Sequence, residues 1–286
     1  MKRPNVILTS TLGLHLLVAM VLGVAAQAQD TPAYRLPLFR TVNPAAKPPA
    51  LPAETRLLLL ADADFAPFSF AATTGEAAGL AVDLALAACA ELKAACEVRL
   101  LPFGELLPAL AKGDGDVIVS GPLIDDKALA NGMMTRPYFR TLARFAVQSG
   151  SPLMASDALS LAGKRIGVVK GTAHAAWLEF YYRESEILPF GSEAEAQEAL
   201  RTGNSDALFG DGLRMIYWVE GANSRGCCKL LDGAYVDRDY FSRSVAFLVR
   251  GQAPELRDAF DYALDRLQAN GTTEKIFIRY VPLNPW

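Results

Sequence analysis

Apolar positions along this chain fall into short runs of strand length separated by stretches with helical spacing. Leu57 to Leu60 is the first such run, with Asp62 and Phe65 just past its end and Pro67 stiffening the turn that follows. After a turn at Gly75, the segment Gly79 to Cys89 carries apolar and alanine positions that predict a helix, with Asp83 near its positive end. The pattern then repeats. Val98 to Leu101 predicts a strand with Phe103 at its exit, Glu105 to Lys112 a short helix with Pro108 in its first turn, and Asp116 to Ser120 a further strand. This β-loop-α-β-α-β series predicts an α/β fold, and in open α/β sheets the strand exits are where ligands bind.

The second half has the same grammar. Arg140 to Gln148 is apolar and extended, and a strand through Val168 and Val169 ends at Gly171. A helix begins near Thr172, so free N–H groups at its start can hold an anion. Ser192-Glu193-Ala194-Glu195 is a capping box opening a helix to Arg201, which Gly203 ends. The strand Asp206 to Asp211 leads into a helix starting Gly212-Leu213-Arg214-Met215. Val245 to Val249 is extended again, and Pro254 to Ala269 forms a helix stopped by Asn270-Gly271.

At 286 residues the chain suffices for one large domain or two ordinary ones. A net charge of −3 with no basic run gives no support for nucleic-acid binding. His15 and His174 are the two histidines, too few for an all-protein zinc site; His174 reads as an ordinary helix residue, and no cofactor is implied. Lys2, Arg3, an apolar stretch up to Ala26 and the small-residue site Ala26-Gln27-Ala28 predict a signal peptide over 1–28. The alternative, a membrane anchor, is disfavoured by the short Thr9 to Leu22 core. With no cysteine at the cleavage site for lipid attachment, the mature protein is expected free in the periplasm. Residues 29–55 are polar and rich in proline, and predict a linker or an extended surface arm. Leu36, Leu38 and Phe39 offer a docking strip, but disorder is the expected state. Four cysteines in an exported protein predict disulfides. Cys227 and Cys228 are adjacent, open to a vicinal disulfide that is redox-sensitive or, more simply, a loop clip; two adjacent thiols fall short of a zinc set.

Four motifs in order, Phe65-Ala66-Pro67-Phe68, Gly79 through Leu84, Phe103 through Leu110 and Asp116 through Ser120, resemble the first lobe of the periplasmic solute-binding proteins of the polar amino acid type. Binders of lysine, arginine, ornithine and histidine look nearest. The resemblance continues through Leu161 to Thr172, Asp206 to Asp211 and the C-terminal helix with Asn270-Gly271-Thr272, covering about residues 56 to 281. It implies a two-lobed type II fold: lobe one from 56–143 and 247–286, lobe two from 144–246, each a mixed sheet flanked by helices, joined by a two-strand hinge that closes over a ligand.

The resemblance also implies a site. Phe65 and Phe103 would sandwich the ligand, Asp62 and Asp211 would bind cationic nitrogen, and Ser120, Gly121 and Thr172 would hydrogen-bond its remaining polar atoms. For Asp211 a helix-capping role is the competing reading. Cys89 and Cys96 stand at the spacing where the basic-amino-acid binders carry a disulfide. Two departures matter. The family's carboxylate-clamping arginine corresponds to Ala128 and a ligand-bonding serine to Leu123. Arg136 could reach in from the other side, although a solvated arginine is the plainer expectation. Two carboxylates without a clamp arginine imply a cationic or amino-acid-like ligand, its carboxylate masked, delivered by a monomer to an inner-membrane ABC permease. Two rivals of the same fold remain: an accessory protein partnering a quinoprotein alcohol dehydrogenase, and a dehydratase of cyclic phenylalanine precursors. The cleft motifs contain no histidine and no nucleophile paired with a base, so no enzyme activity is expected.

Overall fold

The computed structural model describes residues 34–43, 46–47, 49, 51–52, 54–120, 130–241 and 244–286. The leader expected over 1–28, Gly121, Leu123 and Ala128 lie outside the described residues. In the first sheet β1 (Arg56–Asp62) pairs in parallel with β2 (Ala95–Leu101), Arg56 opposite Ala95 and Asp62 opposite Leu101. Its other edge takes β3 (Val117–Ile118), also parallel. Side chains of β1 alternate as a pleated strand requires. Leu59 and Ala61 enter a large core with α1 (Leu80–Leu92), whereas Leu60 joins Leu106 and Leu110 of α2 (Phe103–Lys112) on the opposite face. Gly79, just before α1, has φ +131 and sits so close to Phe68 that an added Cβ would lie 2.3 Å from the Phe68 carbonyl oxygen. Only glycine fits that turn.

After β4 (Gly132–Met134) the chain passes through Phe139–Arg140 into the second sheet. There β5 (Ala143–Gln148), β6 (Arg165–Val169), β7 (Glu186–Phe190), β8 (Ala207–Asp211) and β9 (Cys228–Leu230) stand in the order β7-β6-β8-β5-β9. β6 is parallel to both β7 and β8, while β5 runs antiparallel to β8 and β9. α3 (Ala173–Tyr181) covers one face, and α4 (Glu193–Arg201) and α5 (Gly212–Glu220) cover the other. The chain returns through Ser244–Val245, which pairs antiparallel with Phe139–Arg140. It re-enters the first sheet as β10 (Leu248–Arg250), between β3 and β4. The fold is thus two lobes joined by a two-stranded ribbon. The ribbon is shorter than the apolar runs suggest: Ala143 to Val147 is apolar because it is a central strand buried on both faces, not because it is a crossover.

Two helices complete lobe one. α6 (Pro254–Ala269) buries Leu256, Ala259, Phe260, Ala263, Leu264 and Leu267, a stripe at helical spacing, against the core that α1 also faces; α7 (Thr272–Tyr280) follows. The segment expected to be disordered is docked here. Tyr34 and Phe39 enter the lobe-one core, and the Tyr34 hydroxyl donates to the Val281 carbonyl at 2.5 Å. Arg40, with only 2% of its side chain exposed, pairs with Asp261 and Asp265 at 2.8 Å each. Prolines and polar residues hid this because the anchors are a few side chains among many solvated ones, and because part of what they meet is a tail residue, Trp286, whose ring contacts Tyr34, Phe39, Phe139 and Phe277. Arg136 also belongs to this network, its Nη2 lying 2.5 Å from Asp265, and so braces lobe one.

Both disulfides form. Cys89–Cys96 ties the end of α1 to β2. Cys227–Cys228 clips the turn leading into β9, where the Cys227 carbonyl accepts from the Ser149 amide. Among the described residues no His, Cys, Asp and Glu cluster could hold a metal ion.

Candidate functional site

A cavity of about 360 Å³ opens at the carboxyl ends of β6 and β8. Val168 and Val169 end β6, and Thr172 caps α3, its Oγ1 accepting from the Ala175 amide and donating to the Val169 carbonyl. His174 stands in the first turn of that helix. Phe209, Gly210 and Asp211 end β8, Glu193 opens α4, and Arg214 lies in the first turn of α5. Three helix starts and two strand ends converge, so helix-start amides and the charged side chains of Glu193, Asp211 and Arg214 meet in an otherwise apolar wall.

Burial sets the electrostatics. Asp211 is the N-cap of α5, its Oδ1 accepting from the Leu213 and Arg214 amides at 3.1 and 3.0 Å. Among the described residues no hydrogen bond reaches its Oδ2. Burial pushes its carboxyl above the usual range, against the pull of those amides and of Arg214. Burial raises Glu193 too, opposed by Arg214, which it meets at 2.6 Å, while Asp211 adds to the rise. His174 is lowered to about 4 by burial and is therefore neutral at neutral pH. Its ring stacks on Phe241 at 4.9 Å, and its Nε2 has no partner among the described residues.

Lobe one reaches this wall through two aromatic rings. The Arg214 guanidinium lies 5.2 Å from the Phe65 ring centroid, and the Phe70 and Tyr217 rings are 5.9 Å apart. Of the residues expected in the site, Thr172 and Asp211 line the cavity and Phe65 faces it through Arg214. Asp62 is buried at the end of β1, with its Oδ1 accepting from the Asp64 amide, and Ser120 is buried past β3; neither lines the cavity. Phe103 stands at the exit of β2, as expected, where it is also the first residue of α2, 70% exposed and with no ring partner among the described residues. Phe65 stacks on Phe68 and meets Arg214.

Sequence reasoning read His174 as an ordinary helix residue, Glu193 as part of a capping box and Arg214 as part of a helix start, and placed none of them at the site. Arg214 carried a readable signal: a cation in a helix's first turn faces the positive end of the macrodipole and is unfavourable without another reason to be there. The expectation that the cleft holds no histidine is corrected by His174, which helical phasing alone could not aim at the cavity.

The family model for bacterial extracellular solute-binding proteins, family 3, matches residues 57–282. The chain belongs to that family. The L-arginine-binding protein of Pseudomonas aeruginosa is 30% identical over 234 residues, covering 81% of this chain and 90% of that protein. The lysine/arginine/ornithine-binding periplasmic protein of Escherichia coli is 26% identical over 233 residues, covering 78% and 86%. Among solved structures, substrate binding domain 2 of Lactococcus lactis GlnP, in an open conformation, matches with a TM-score of 0.72 at 24% identity, over 82% of this chain and 99% of that one. The two-lobed solute-binding fold is therefore shared.

Proposed function

We propose that this family member is a monomeric periplasmic binding protein that captures a small, cationic or amino-acid-like solute between its lobes. It hands that solute to an inner-membrane ATP-driven permease and performs no chemistry on it. Asp211 carries the reading. One oxygen of its carboxylate is fixed by two amides, and the other faces no described donor in a cavity sized for a small solute. A buried carboxylate in that state gains most from a cationic nitrogen, which restores its ionised form by direct pairing. The arginine and lysine binders among its relatives support the same class.

Titration calorimetry of the mature chain with L-arginine, L-lysine, L-histidine and L-glutamine tests it. Binding in the micromolar range or tighter is expected for at least one, and Asp211→Asn, which keeps the cap's acceptor but not its charge, should weaken it roughly 100-fold. Full affinity in Asp211→Asn, or no binding of any of the four by the wild-type chain, would overturn the proposal.

A further inference from the structure

We infer that Arg214 is the carboxylate anchor of this cleft, so that the captured solute carries a free carboxylate beside its cationic nitrogen. The inference rests on the capture reading and names the ligand's second charged group. Four observations converge on it. Arg214 lines the cavity. Its Nε lies in an ion pair 2.6 Å from a Glu193 carboxylate oxygen, and its Nη1 and Nη2 make no hydrogen bond among the described residues. Its guanidinium is placed by the Phe65 ring, so its position is set by both lobes. It also occupies the third position of α5, where a cation opposes the helix macrodipole and the amides point the same way as its charge. Side chains in a helix's first turn lean towards its N-terminus. From that position Arg214 reaches the wall where Asp211 stands, and its backbone amide is bonded to the Asp211 Oδ1 at 3.0 Å.

A guanidinium offering two N–H groups on one edge matches the two oxygens of a carboxylate, which a lone ammonium does not. Beside it, Asp211 takes the nitrogen. An anion held by Arg214 and a cation held by Asp211, three residues apart in the chain, describe the head group of a zwitterion. This reverses the masked-carboxylate expectation. Glu193 has a definite role here: it compensates the guanidinium when the cleft is empty and occupies the Nε side, leaving the Nη edge to the ligand.

The test compares acids with amides. L-arginine, L-lysine, L-histidine and L-glutamine are each titrated as the free acid and as the carboxamide into wild type, Arg214→Gln and Arg214→Lys, with thermal melts checking that each variant folds. Wild type should prefer the acid by about 30-fold or more, Arg214→Gln should bring the ratio near one, and Arg214→Lys should fall between, keeping charge but losing the fork. A merely structural arginine would weaken acid and amide alike and leave the ratio unchanged; that result overturns the assignment. So does equal wild-type affinity for acid and amide, although capture itself then stands. If wild type binds neither form of any of the four, the capture reading fails and this inference fails with it.

Discussion

Arg40→Ala is the sharpest test of how the N-terminal segment is held. Its guanidinium is almost fully enclosed and donates to Asp265 Oδ1 and Asp261 Oδ1 at 2.8 Å, to the Asp261 carbonyl at 2.9 Å and to the Arg136 carbonyl at 2.5 Å. Its backbone is bonded on both sides by Gln268. Truncation leaves two carboxylates, 14% and 6% exposed, facing only Arg136, which is half exposed. Breaking a buried pair by removing one partner costs about 3–5 kcal/mol. Because Arg136 still reaches Asp265, the lower end applies, about 3 kcal/mol. For a chain of this size that corresponds to a fall of roughly 6–12 °C in Tm. Arg40→Lys, keeping the charge but not the fork, should lose about half as much. Calorimetric melts at neutral pH measure the loss, and limited proteolysis reports whether 34–42 is released at the same time. A drop under about 1 kcal/mol with the segment still protected would show that the network behaves as a surface one, and the argument from burial would be refuted.

Three further outcomes follow from the structure. His174, lowered to about 4 from an ordinary 6.5 by burial, stays neutral in the fold while the unfolded chain takes a proton, so stability should fall as pH drops from about 6.5 to about 4. His174→Phe should remove roughly 3 kcal/mol of that fall; Glu193 and Asp211, raised and hence opposite in sign, are present in both chains and cancel in the difference. Replacing Cys89 and Cys96 together with serine opens a loop closed by a link of sequence separation 7, and denaturant melts should show a loss of about 2.5 kcal/mol. Phe103→Ala should change ligand affinity less than about twofold, because the ring is exposed at the start of α2, whereas Phe65→Ala, which removes the ring beneath Arg214, should weaken it at least about tenfold by calorimetry.

The fold was legible where pattern and burial agree. The unbroken apolar run Leu57 to Leu60 fits a strand covered on both faces and the helical stripe of Pro254 to Ala269 a helix covered on one, and both elements lie where their patterns place them. The capping box at Ser192 was legible for the same local reason: Ser192 Oγ accepts from the Glu195 amide, and the Glu195 carboxylate reaches back, to Gly191 and not to the cap itself. The N-terminal segment was illegible because its order is made by distant partners. Tyr34 bonds to Val281 and Arg40 to Asp261 and Asp265, more than 200 residues away in sequence, and nothing local in 34–40 encodes those contacts. A proline-rich composition raises the prior for disorder only while no preformed surface awaits it.

The site was half legible for a related reason. Residues that act through backbone geometry, Thr172 and Asp211, are readable because a strand end followed by a helix start has one arrangement of amides, and both cap their helices. Residues that act through reach depend on what stands opposite. Phe103 is an exposed ring at the start of α2, and the surroundings of Arg214 are set by Phe65 and Glu193, which the sequence local to it does not place. The departure expected at Ala128 from the resemblance then takes on a different meaning. A missing clamp on one lobe need not change the charge of the ligand if a guanidinium on the other lobe faces the same space. Arg214 lines the cavity from a helix start, where the macrodipole opposes a cation and Glu193, Asp211 and the Phe65 ring offset it. That position is what the proposed carboxylate anchor would explain, and the comparison of acids with amides decides it.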